Sequence, residues 1–200
     1  MRLFRPCFFV PWIYPDALFR INTSGENILL TFDDGPDPGS TPAILNVLGE
    51  YNIKALFFCS GREAENNPQL IELIRSKGHK IGNHGYNHLD GWETASSDYI
   101  KDVERAAEFT SSVFFRPPYG RIRLTQYLKL KRKYKIVFWD LMPYDFDKSF
   151  GEERSLKVLI EKIRPGSIII LHDRPDSTLI KNLGSLIVKV QALGYSFVPA

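Results

Sequence analysis

Two adjacent carboxylates are the first feature of this 200-residue sequence that suggests chemistry. Asp33 and Asp34 follow the apolar run 28–32 and stand directly before Gly35 and Pro36. Asp, Gly and Pro are common turn residues, so a simple turn is one interpretation. Two negative charges this close are unfavourable unless a cation or several hydrogen-bond donors offset them. The doublet therefore predicts either a turn or one side of a metal site.

Histidines supply the second feature. His84 and His88 stand four residues apart, a spacing that places two imidazoles on one face of a helical turn, where they can share a cation. His172 directly follows the apolar run 167–171. The fourth histidine, His79, stands at a predicted junction between a helix and a strand and is expected to be structural. Three of the four histidines are therefore candidates for chemistry.

Two further polar clusters also follow apolar runs. Arg116 precedes two prolines and Tyr119, and the stiff backbone that prolines impose suits a side chain that must orient a carboxylate. Asp140 and Asp145 lie in the second cluster, residues 139–146. Each cluster alone is compatible with an ordinary loop. Five such clusters, at the ends of five predicted strands, indicate one shared site.

The elements that must position these residues alternate between short strands and amphipathic helices, as in folds of parallel strands with crossover helices. Seven strands are predicted, over 28–32, 55–59, 80–83, 113–116, 135–139, 167–171 and 195–198. Six helices are predicted, near 41–51, 67–77, 97–110, 122–132, 153–164 and 178–193. In the second helix, Asn67 is the expected cap and Gly78 the terminator. Open sheets and closed barrels of this kind both place active sites at the carboxyl ends of strands, and a barrel brings five ends to one centre more easily.

Composition and charge describe an ordinary globular chain. The sequence is 44% hydrophobic and 24% charged, and its length suits one domain rather than two. A formal net charge of +3 gives no reason to expect a nucleic-acid partner. Residues 121–135 hold seven basic residues and no acid, which is typical of a solvated helix face. Contact with phosphate groups of a lipid or glycan is the alternative.

The N-terminal segment, residues 1–27, is expected to pack on or beside a single catalytic domain, residues 28–200. Its apolar stretch, 7–14, is interrupted by proline and has no small-residue cleavage site, so no signal peptide is predicted. The stretch is also far shorter than the ~20 apolar residues of a spanning helix. Contact with a membrane surface is a weaker alternative, and a cytoplasmic or peripheral inner-membrane location is the default expectation. Cys7 and Cys59 are expected to be free thiols, and the sequence leaves the oligomeric state open.

These motifs resemble those of the NodB-type polysaccharide deacetylases, carbohydrate esterase family 4. The resemblance spans 28–198, and Asp-Asp-Gly-Pro at 33–36 and His-x-x-x-His at 84–88 occur in the family's order. The resemblance implies an α/β fold, an irregular seven-stranded (β/α) barrel. It also implies a divalent metal, zinc or else cobalt, held by Asp34, His84 and His88.

The same resemblance implies roles for the remaining candidates. Asp33 would be the general base, and Arg116 would orient it. His172 would be the general acid, and Asp145 would tune it. The backbone N–H of Tyr119 would help to stabilise an oxyanion.

Three positions depart from the usual family pattern. Gly85 stands where Ser or Thr commonly follows the first metal-binding histidine, so a supporting hydrogen bond is expected to be absent or supplied otherwise. Phe146 replaces a tryptophan that commonly walls the acetyl pocket. Asp140 is close enough in sequence to Asp145 to share or compete for its role.

The expected function is hydrolytic removal of N-acetyl groups, or O-acetyl groups, from a poly- or oligosaccharide that contains amino sugars. One carboxylate and two imidazoles leave positions on a metal for a water and a carbonyl oxygen. Deacylation of a lipid-linked sugar or hydrolysis of a small cyclic amide is an alternative, as is an iron oxygenase, which uses the same ligand set. A catalytically silent glycan-binding module is the alternative from a different class.

Overall fold

Parallel strands form the centre of the protein, for which the computed structural model describes residues 2–200. The strands are β1 Asn27–Asp33, β2 Leu56–Cys59, β3 Lys80–Asn83, β4 Phe114–Phe115, β5 Lys135–Ile136, β6 Ile168–His172 and β7 Ser196–Phe197. They are ordered β5-β4-β3-β2-β1-β6, with β7 paired to β1, and every pairing is parallel. The seven predicted strands are therefore present, although several are shorter than predicted.

The sheet curls until its edges meet. After β5 the chain continues along the wall, and Leu141 forms a parallel bridge with Ile169 of β6. Leu18 of the N-terminal segment forms another parallel bridge with Val137. The strand predicted over 135–139 is shorter than expected: its ladder with β4 ends at Ile136, and beyond it Val137 forms the single bridge with Leu18. The fold prediction, an irregular (β/α) barrel, is confirmed.

Eight α-helices surround the barrel across residues 2–200. They are α1 Val10–Ile13, α2 Thr41–Glu50, α3 Gly61–Asn66, α4 Pro68–Ser76, α5 Ser96–Thr110, α6 Leu124–Leu130, α7 Glu152–Lys162 and α8 Leu183–Ala192. Six of them, α2 and α4 to α8, correspond to the predicted helices, and the last of these begins as a 3-10 turn, Ile180–Asn182. The sequence pattern missed α1 and α3 because segments of four and six residues are too short to display a helical period.

The start of α4 differs from its prediction. Asn67 occupies the cap position, but its side chain donates to the carbonyl of Glu63 at 3.0 Å and so closes α3 instead of capping α4. The predicted capping role of Asn67 is therefore wrong. Gly78 does follow α4, with φ of 79°, a conformation that glycine adopts without steric cost.

Strand alternation separates the outer core from the barrel interior. One face of β1 and β6 packs against α2, α4, α7 and α8 in the largest apolar core, and a second, aromatic core lies against α5 and α6. The opposite faces fill the barrel with a smaller cluster, Leu29, Leu56, Phe58, Val137 and Ile168. Polar side chains at the next inward-facing positions along the strands therefore lie directly beyond this apolar cluster, at the carboxyl end of the barrel. Both cysteines fall within the described residues and are free thiols, as predicted.

The N-terminal segment runs along the barrel wall. Tyr14 packs against Tyr127 of α6, with ring centroids 4.9 Å apart, and its hydroxyl donates to the carbonyl of Ile122 at 2.7 Å. Met1 lies outside the described residues, and the division of the chain at residue 27 stays a prediction. No helix within residues 2–200 is long and apolar enough to cross a bilayer.

Candidate active site and metal centre

Strand alternation explains how the candidate residues meet. Asp33 continues the inward row of β1, and His172 continues that of β6, its partner in register. Arg116 lies two residues beyond the inward-facing Phe114, and His84 two residues beyond Gly82, whose Cα lies against the Phe58 ring. A cavity of about 620 Å³ opens at this end of the barrel, and seven of the eight candidate residues line it: Asp33, Asp34, His84, His88, Arg116, Tyr119 and His172.

Three of these side chains fit a metal ion. Asp34, His84 and His88 each offer one ligand atom, and the three atoms lie within 4.8 Å of one another. Asp34 Oδ1 is 3.3 Å from His88 Nε2 and 3.7 Å from His84 Nε2. Two ligands bound tetrahedrally to zinc at about 2.0–2.1 Å lie roughly 3.3 Å apart. The predicted ligand set can therefore hold a small divalent cation on the open side of the cavity.

The surroundings of His84 give it the charge and tautomer that a ligand needs. Its Nδ1 lies 2.8 Å from the carbonyl oxygen of Arg116, which only accepts, so Nδ1 carries the proton and Nε2 is free to coordinate. Burial lowers the pKa of His84 to about 4, which leaves the ring neutral near pH 7. Burial also acts to raise the pKa of Asp34, but its hydrogen bond with His88 and the nearby imidazoles hold that pKa far below the usual value.

Backbone strain is concentrated at the cavity. Six non-glycine residues of the described chain have positive φ, and four of them line the cavity. These are Asp34 (77°), His88 (55°), Tyr119 (58°) and Tyr144 (61°). Each such residue costs about 1–3 kcal/mol and persists only where surrounding contacts hold it, typically at functional sites. The strain is independent support for a functional cavity.

Asp33 is held by Arg116 rather than by the three ligand-type side chains. Arg116 is 1% exposed, and its Nη1 donates to Asp33 Oδ1 at 2.6 Å and to Thr31 Oγ1 at 2.7 Å. The same guanidinium donates to two backbone carbonyls of the β5 segment, at 3.3 and 2.9 Å. The other oxygen of Asp33, Oδ2, lies 3.8 Å from His84 Nε2. One carboxylate oxygen is therefore fixed, and the other lies beside the candidate metal ligands.

His172 ends β6 beside Asp33 and is tied to Asp145. The carboxylate of Asp145 accepts from His172 Nδ1 and from the His172 backbone N–H, both at 2.8 Å, and from the Ser177 hydroxyl at 2.5 Å. Burial lowers the pKa of His172, but the carboxylate of Asp145 outweighs burial and raises the pKa to about 9. His172 is therefore protonated near pH 7, the state that a general acid requires.

Asp140 and His79 form contacts away from the cavity. Asp140 accepts from Arg164 Nε at 3.0 Å and from the Ser167 hydroxyl at 2.7 Å, beside the amino end of β6. It therefore does not share the role of Asp145. His79 Nδ1 accepts from the backbone N–H of Ala55 at 3.1 Å, which joins α4 to β2. This contact agrees with the structural role expected for His79.

The loop between His84 and His88 is held by Asp102 of α5, which the sequence interpretation missed. Its carboxylate accepts from the backbone N–H groups of Tyr86 at 2.8 Å and Asn87 at 3.0 Å. Gly85 has φ of 74°, and a Cβ there would lie 3.0 Å from the Asp102 carboxylate. The loop support that a Ser or Thr at residue 85 was expected to give therefore comes from α5. The available signal was an acidic residue on the otherwise apolar face of this helix, next to Val103.

Asp173 supports the turn of the aspartate doublet and was also missed. Its backbone N–H donates to the carbonyl of Asp33 at 2.8 Å, and its carboxylate accepts from Ser40 at 2.6 Å and Thr41 at 2.5 Å. A Cβ on Gly35 would meet this carboxylate at 2.2 Å, so only glycine fits. Burial raises the pKa of Asp173 to about 6.

Aromatic rings wall the cavity. Phe146 lies edge-on to His172 with ring centroids 4.7 Å apart, in the wall where an apolar residue was predicted. Tyr119 is 61% exposed, and its ring lies 4.6 Å from that of His88. Within residues 2–200 the N–H of Tyr119 has no backbone acceptor, which leaves it available to a ligand. Trp139 closes the wall beneath Gly120, where a Cβ would meet its ring at 2.4 Å.

Known proteins resemble this chain in sequence. The family model described as polysaccharide deacetylase matches residues 20–139. A peptidoglycan-N-acetylglucosamine deacetylase of Bacillus cereus is 30% identical, over 96% of this chain and 92% of its own length. A chitooligosaccharide deacetylase of Sinorhizobium fredii is 35% identical, over 77% of this chain and 75% of its own length.

Solved structures agree with the sequence matches. The structure of Bacillus subtilis PdaA, a family 4 carbohydrate esterase, has a TM-score of 0.81 and 28% identity, over 94% of this chain and 85% of its own. The region matched by the family model is more than half of the chain and contains the aspartate doublet, both ligand-type histidines and Arg116. This chain therefore belongs to the polysaccharide deacetylase family.

Proposed function

We propose that this chain hydrolyses the N-acetyl groups of N-acetylglucosamine units in a peptidoglycan-type or chitin-type glycan, releasing acetate and leaving a free amine. Deacetylation of amino-sugar polysaccharides is the reaction of the family. The observation that carries the proposal for this chain is the content of one cavity. It is lined by three ligand-type side chains, a carboxylate outside that set, and the imidazole of His172, whose pKa is raised to about 9.

Asp33 is the proposed general base. Its Oδ1 is fixed by Arg116, and its Oδ2 is directed toward the ligand-type side chains, where it can accept a proton from an attacking water. A divalent cation held by Asp34, His84 and His88 would, when bound, acidify a water and polarise a carbonyl oxygen. Arg116 prevents rotation of the carboxylate, so the accepting oxygen keeps its position.

His172 is the proposed general acid. Addition of water to the acetamide carbon transfers one proton to Asp33, and cleavage of the carbon–nitrogen bond requires a proton on the departing nitrogen. His172 carries that proton because Asp145 raises its pKa to about 9. The products are acetate and an amine, and a proton passed from Asp33 to solvent and from solvent to His172 restores both groups.

The cavity wall completes the proposal. The N–H of Tyr119, on a backbone with φ of 58°, is proposed to donate to the oxyanion that forms on the acetamide carbon. Phe146 offers the acetyl methyl group an apolar surface next to His172. Zinc is the proposed metal, since one carboxylate and two imidazoles with open positions are typical of catalytic zinc sites, and cobalt suits the same ligands.

Acetate release tests this proposal. The protein is stripped of metal, reconstituted with zinc or cobalt, and assayed on chitooligosaccharides, on peptidoglycan glycan strands and on an O-acetylated sugar. Acetate release from an N-acetylated glycan that disappears in Asp33→Asn is the expected result. If metal binds stoichiometrically but none of the three substrates is cleaved, the chain is a silent glycan-binding module.

A further inference from the structure

Aromatic side chains of the N-terminal segment project from the surface. Phe8 and Trp12 are 79% and 77% exposed, and Phe9 and Ile13 are 45% and 44% exposed. Phe8 meets Phe9 and Trp12 edge-on, with ring centroids 5.7 and 6.0 Å apart. These four residues, here named the aromatic patch, lie in or next to α1, in which each of the four residues keeps some exposure.

The patch differs from the exposed apolar residues found elsewhere. Five of the twelve large apolar side chains exposed within residues 2–200 lie between Leu3 and Ile13, whereas the others are spread over the rest of the chain. Single exposed apolar residues are ordinary on protein surfaces. Adjoining ones mark an interaction surface, because water contact with clustered aromatic rings is unfavourable.

A group of cations lies beside the chain that follows the patch. The basic stretch is defined as Lys129, Lys131, Arg132, Lys133 and Lys135, all of which are exposed. Lys131 forms an ion pair with Asp16 at 2.8 Å, four residues after Trp12. The run was predicted as a helix face, but α6 ends at Leu130, so four of the five cations follow the helix.

Part of this positive charge has no partner in the protein. Lys131 and Lys133 pair with Asp16 and Glu104, whereas Arg132 and Lys135 form no salt bridge to any residue between 2 and 200. Asp16 is also the one acid in the first twenty residues of the sequence, which contain three arginines. Arg2 and Arg5 pair with Asp147 and Asp140, so the unpaired charge that can complement an anionic surface lies in the basic stretch, which Lys131 joins to the N-terminal segment.

We propose that the aromatic patch and the basic stretch together dock on the headgroup region of an anionic lipid bilayer. Tryptophan and phenylalanine rings insert favourably at the boundary between headgroups and acyl chains. Arginine and lysine beside them are attracted to anionic lipids, an attraction that salt screens. The aromatic patch thus supplies apolar insertion and the basic stretch supplies electrostatic attraction, the two interactions by which a peripheral protein binds a membrane surface. The proposal is independent of the chemistry at the strand ends.

Vesicle sedimentation tests the proposal with the full chain. Vesicles of equal parts phosphatidylglycerol and phosphatidylcholine are expected to bind the protein at low salt, and pure phosphatidylcholine vesicles much less. Phe8→Ser combined with Trp12→Ser is expected to weaken binding at least about tenfold, since it removes the two most exposed rings. Val188→Ser, at a residue 50% exposed on α8, is the matched control and should bind as the parent does.

The charge contribution has its own control. Arg132→Glu with Lys135→Glu is expected to weaken binding at least about tenfold. Lys101→Glu with Lys189→Glu, on α5 and α8, changes the net charge by the same amount and should have a much smaller effect. Binding that neither pair of substitutions in the proposed surface reduces would overturn the proposal. So would a dimer, detected by sedimentation without lipid, that dissociates on loss of Phe8 and Trp12, because the patch would then bind a second copy.

Discussion

Two imidazoles that line the cavity have opposite pKa shifts. His84 is held through Nδ1 by the backbone carbonyl of Arg116, and His172 through Nδ1 by the carboxylate of Asp145, each at 2.8 Å. The first has its pKa lowered to about 4 and the second raised to about 9. Burial lowers both values, so the charge of the hydrogen-bond acceptor makes the difference.

The contrast in pKa matches the roles proposed for the two residues, a metal ligand and a general acid. A neutral ring with a free Nε2 can coordinate a cation, whereas a protonated ring can donate to a leaving nitrogen. In this proposal one residue type serves two purposes in one cavity, according to the group that each Nδ1 contacts. In the proposed mechanism the side of the cavity with Asp34, His84 and His88, here called the β3 side, binds the cation, and the side with His172 and Asp145, here called the β6 side, transfers the proton. Substitutions on each side should therefore have different signatures.

Substitutions at His84 and Asp33 should have the largest effects on turnover and should best separate metal binding from proton transfer. His84→Ala removes a candidate ligand, so we expect loss of bound metal and of turnover. Asp33→Asn keeps the ligands, so we expect bound metal to stay stoichiometric while kcat falls about 10²–10⁴-fold, the contribution of a general base. Metal content by elemental analysis, together with acetate release, distinguishes the two variants. Equal loss of metal from both would contradict the assignment of Asp34 rather than Asp33 as the ligand.

Asp145→Asn should lower the pKa of His172 toward that of an ordinary histidine. The pKa of His172 is raised, so its acid form is present below about pH 9 and lost above it. Without the carboxylate, the pKa should fall to the ordinary value of 6.5 or below. The high-pH limit of kcat, meaning the pH above which kcat declines, should then fall by the same amount. Activity at pH 8 should fall about 30-fold or more. The measurement is a pH profile of kcat on a soluble acetylated oligomer.

Asp140→Asn is the matched control for that profile. Its carboxylate binds Arg164 and Ser167 rather than His172, so the substitution should lower the free energy of unfolding without moving the high-pH limit. A shift of the limit in Asp140→Asn as large as in Asp145→Asn would mean that the limit reports general charge and not the His172–Asp145 pair.

The fold was predictable from the sequence because it depends on local pattern, whereas the ligand set was implied by the family resemblance and stays a prediction. Strand alternation places Asp33 and His172 on inward rows, and the residues that end these rows can be read directly from the chain. Arg116 was identified as a candidate because two prolines follow it and stiffen its backbone. The short helices α1 and α3 were missed because they contain too few residues to display a period.

The supporting residues were harder to predict because their partners are distant in sequence. Asp102 holds a loop fifteen residues before it, and Asp173 holds the turn at Asp33 from the other end of the chain. The sequence also left Asp140 and Asp145 as alternatives. Their distances to a histidine decide between them, and these distances depend on how the chain after β5 closes the barrel.

Asp102→Ala should act only on the β3 side. It removes the acceptor of the Tyr86 and Asn87 N–H groups, which costs about 1–3 kcal/mol for each group left unsatisfied. Because that loop carries His88, metal affinity should also fall about 10–100-fold, as for other partners that orient ligands. Metal titration and urea denaturation measure the two effects. Movement of the high-pH limit of kcat would show that the two sides of the cavity are not independent.

Phe146→Trp should give the smallest effect and act only on the β6 side. Phe146 lies 4.7 Å from the His172 ring, and its own ring carries no titratable group, so a larger ring should narrow the proposed acetyl pocket without changing the His172 pKa. We expect the preference for N-acetyl over N-propionyl oligomers, as a ratio of kcat/KM values, to rise about tenfold. The high-pH limit and the metal affinity should stay as in the parent. An unchanged preference would mean that the acyl group binds elsewhere in the cavity, since a wall in contact with the acyl chain must distinguish the two lengths.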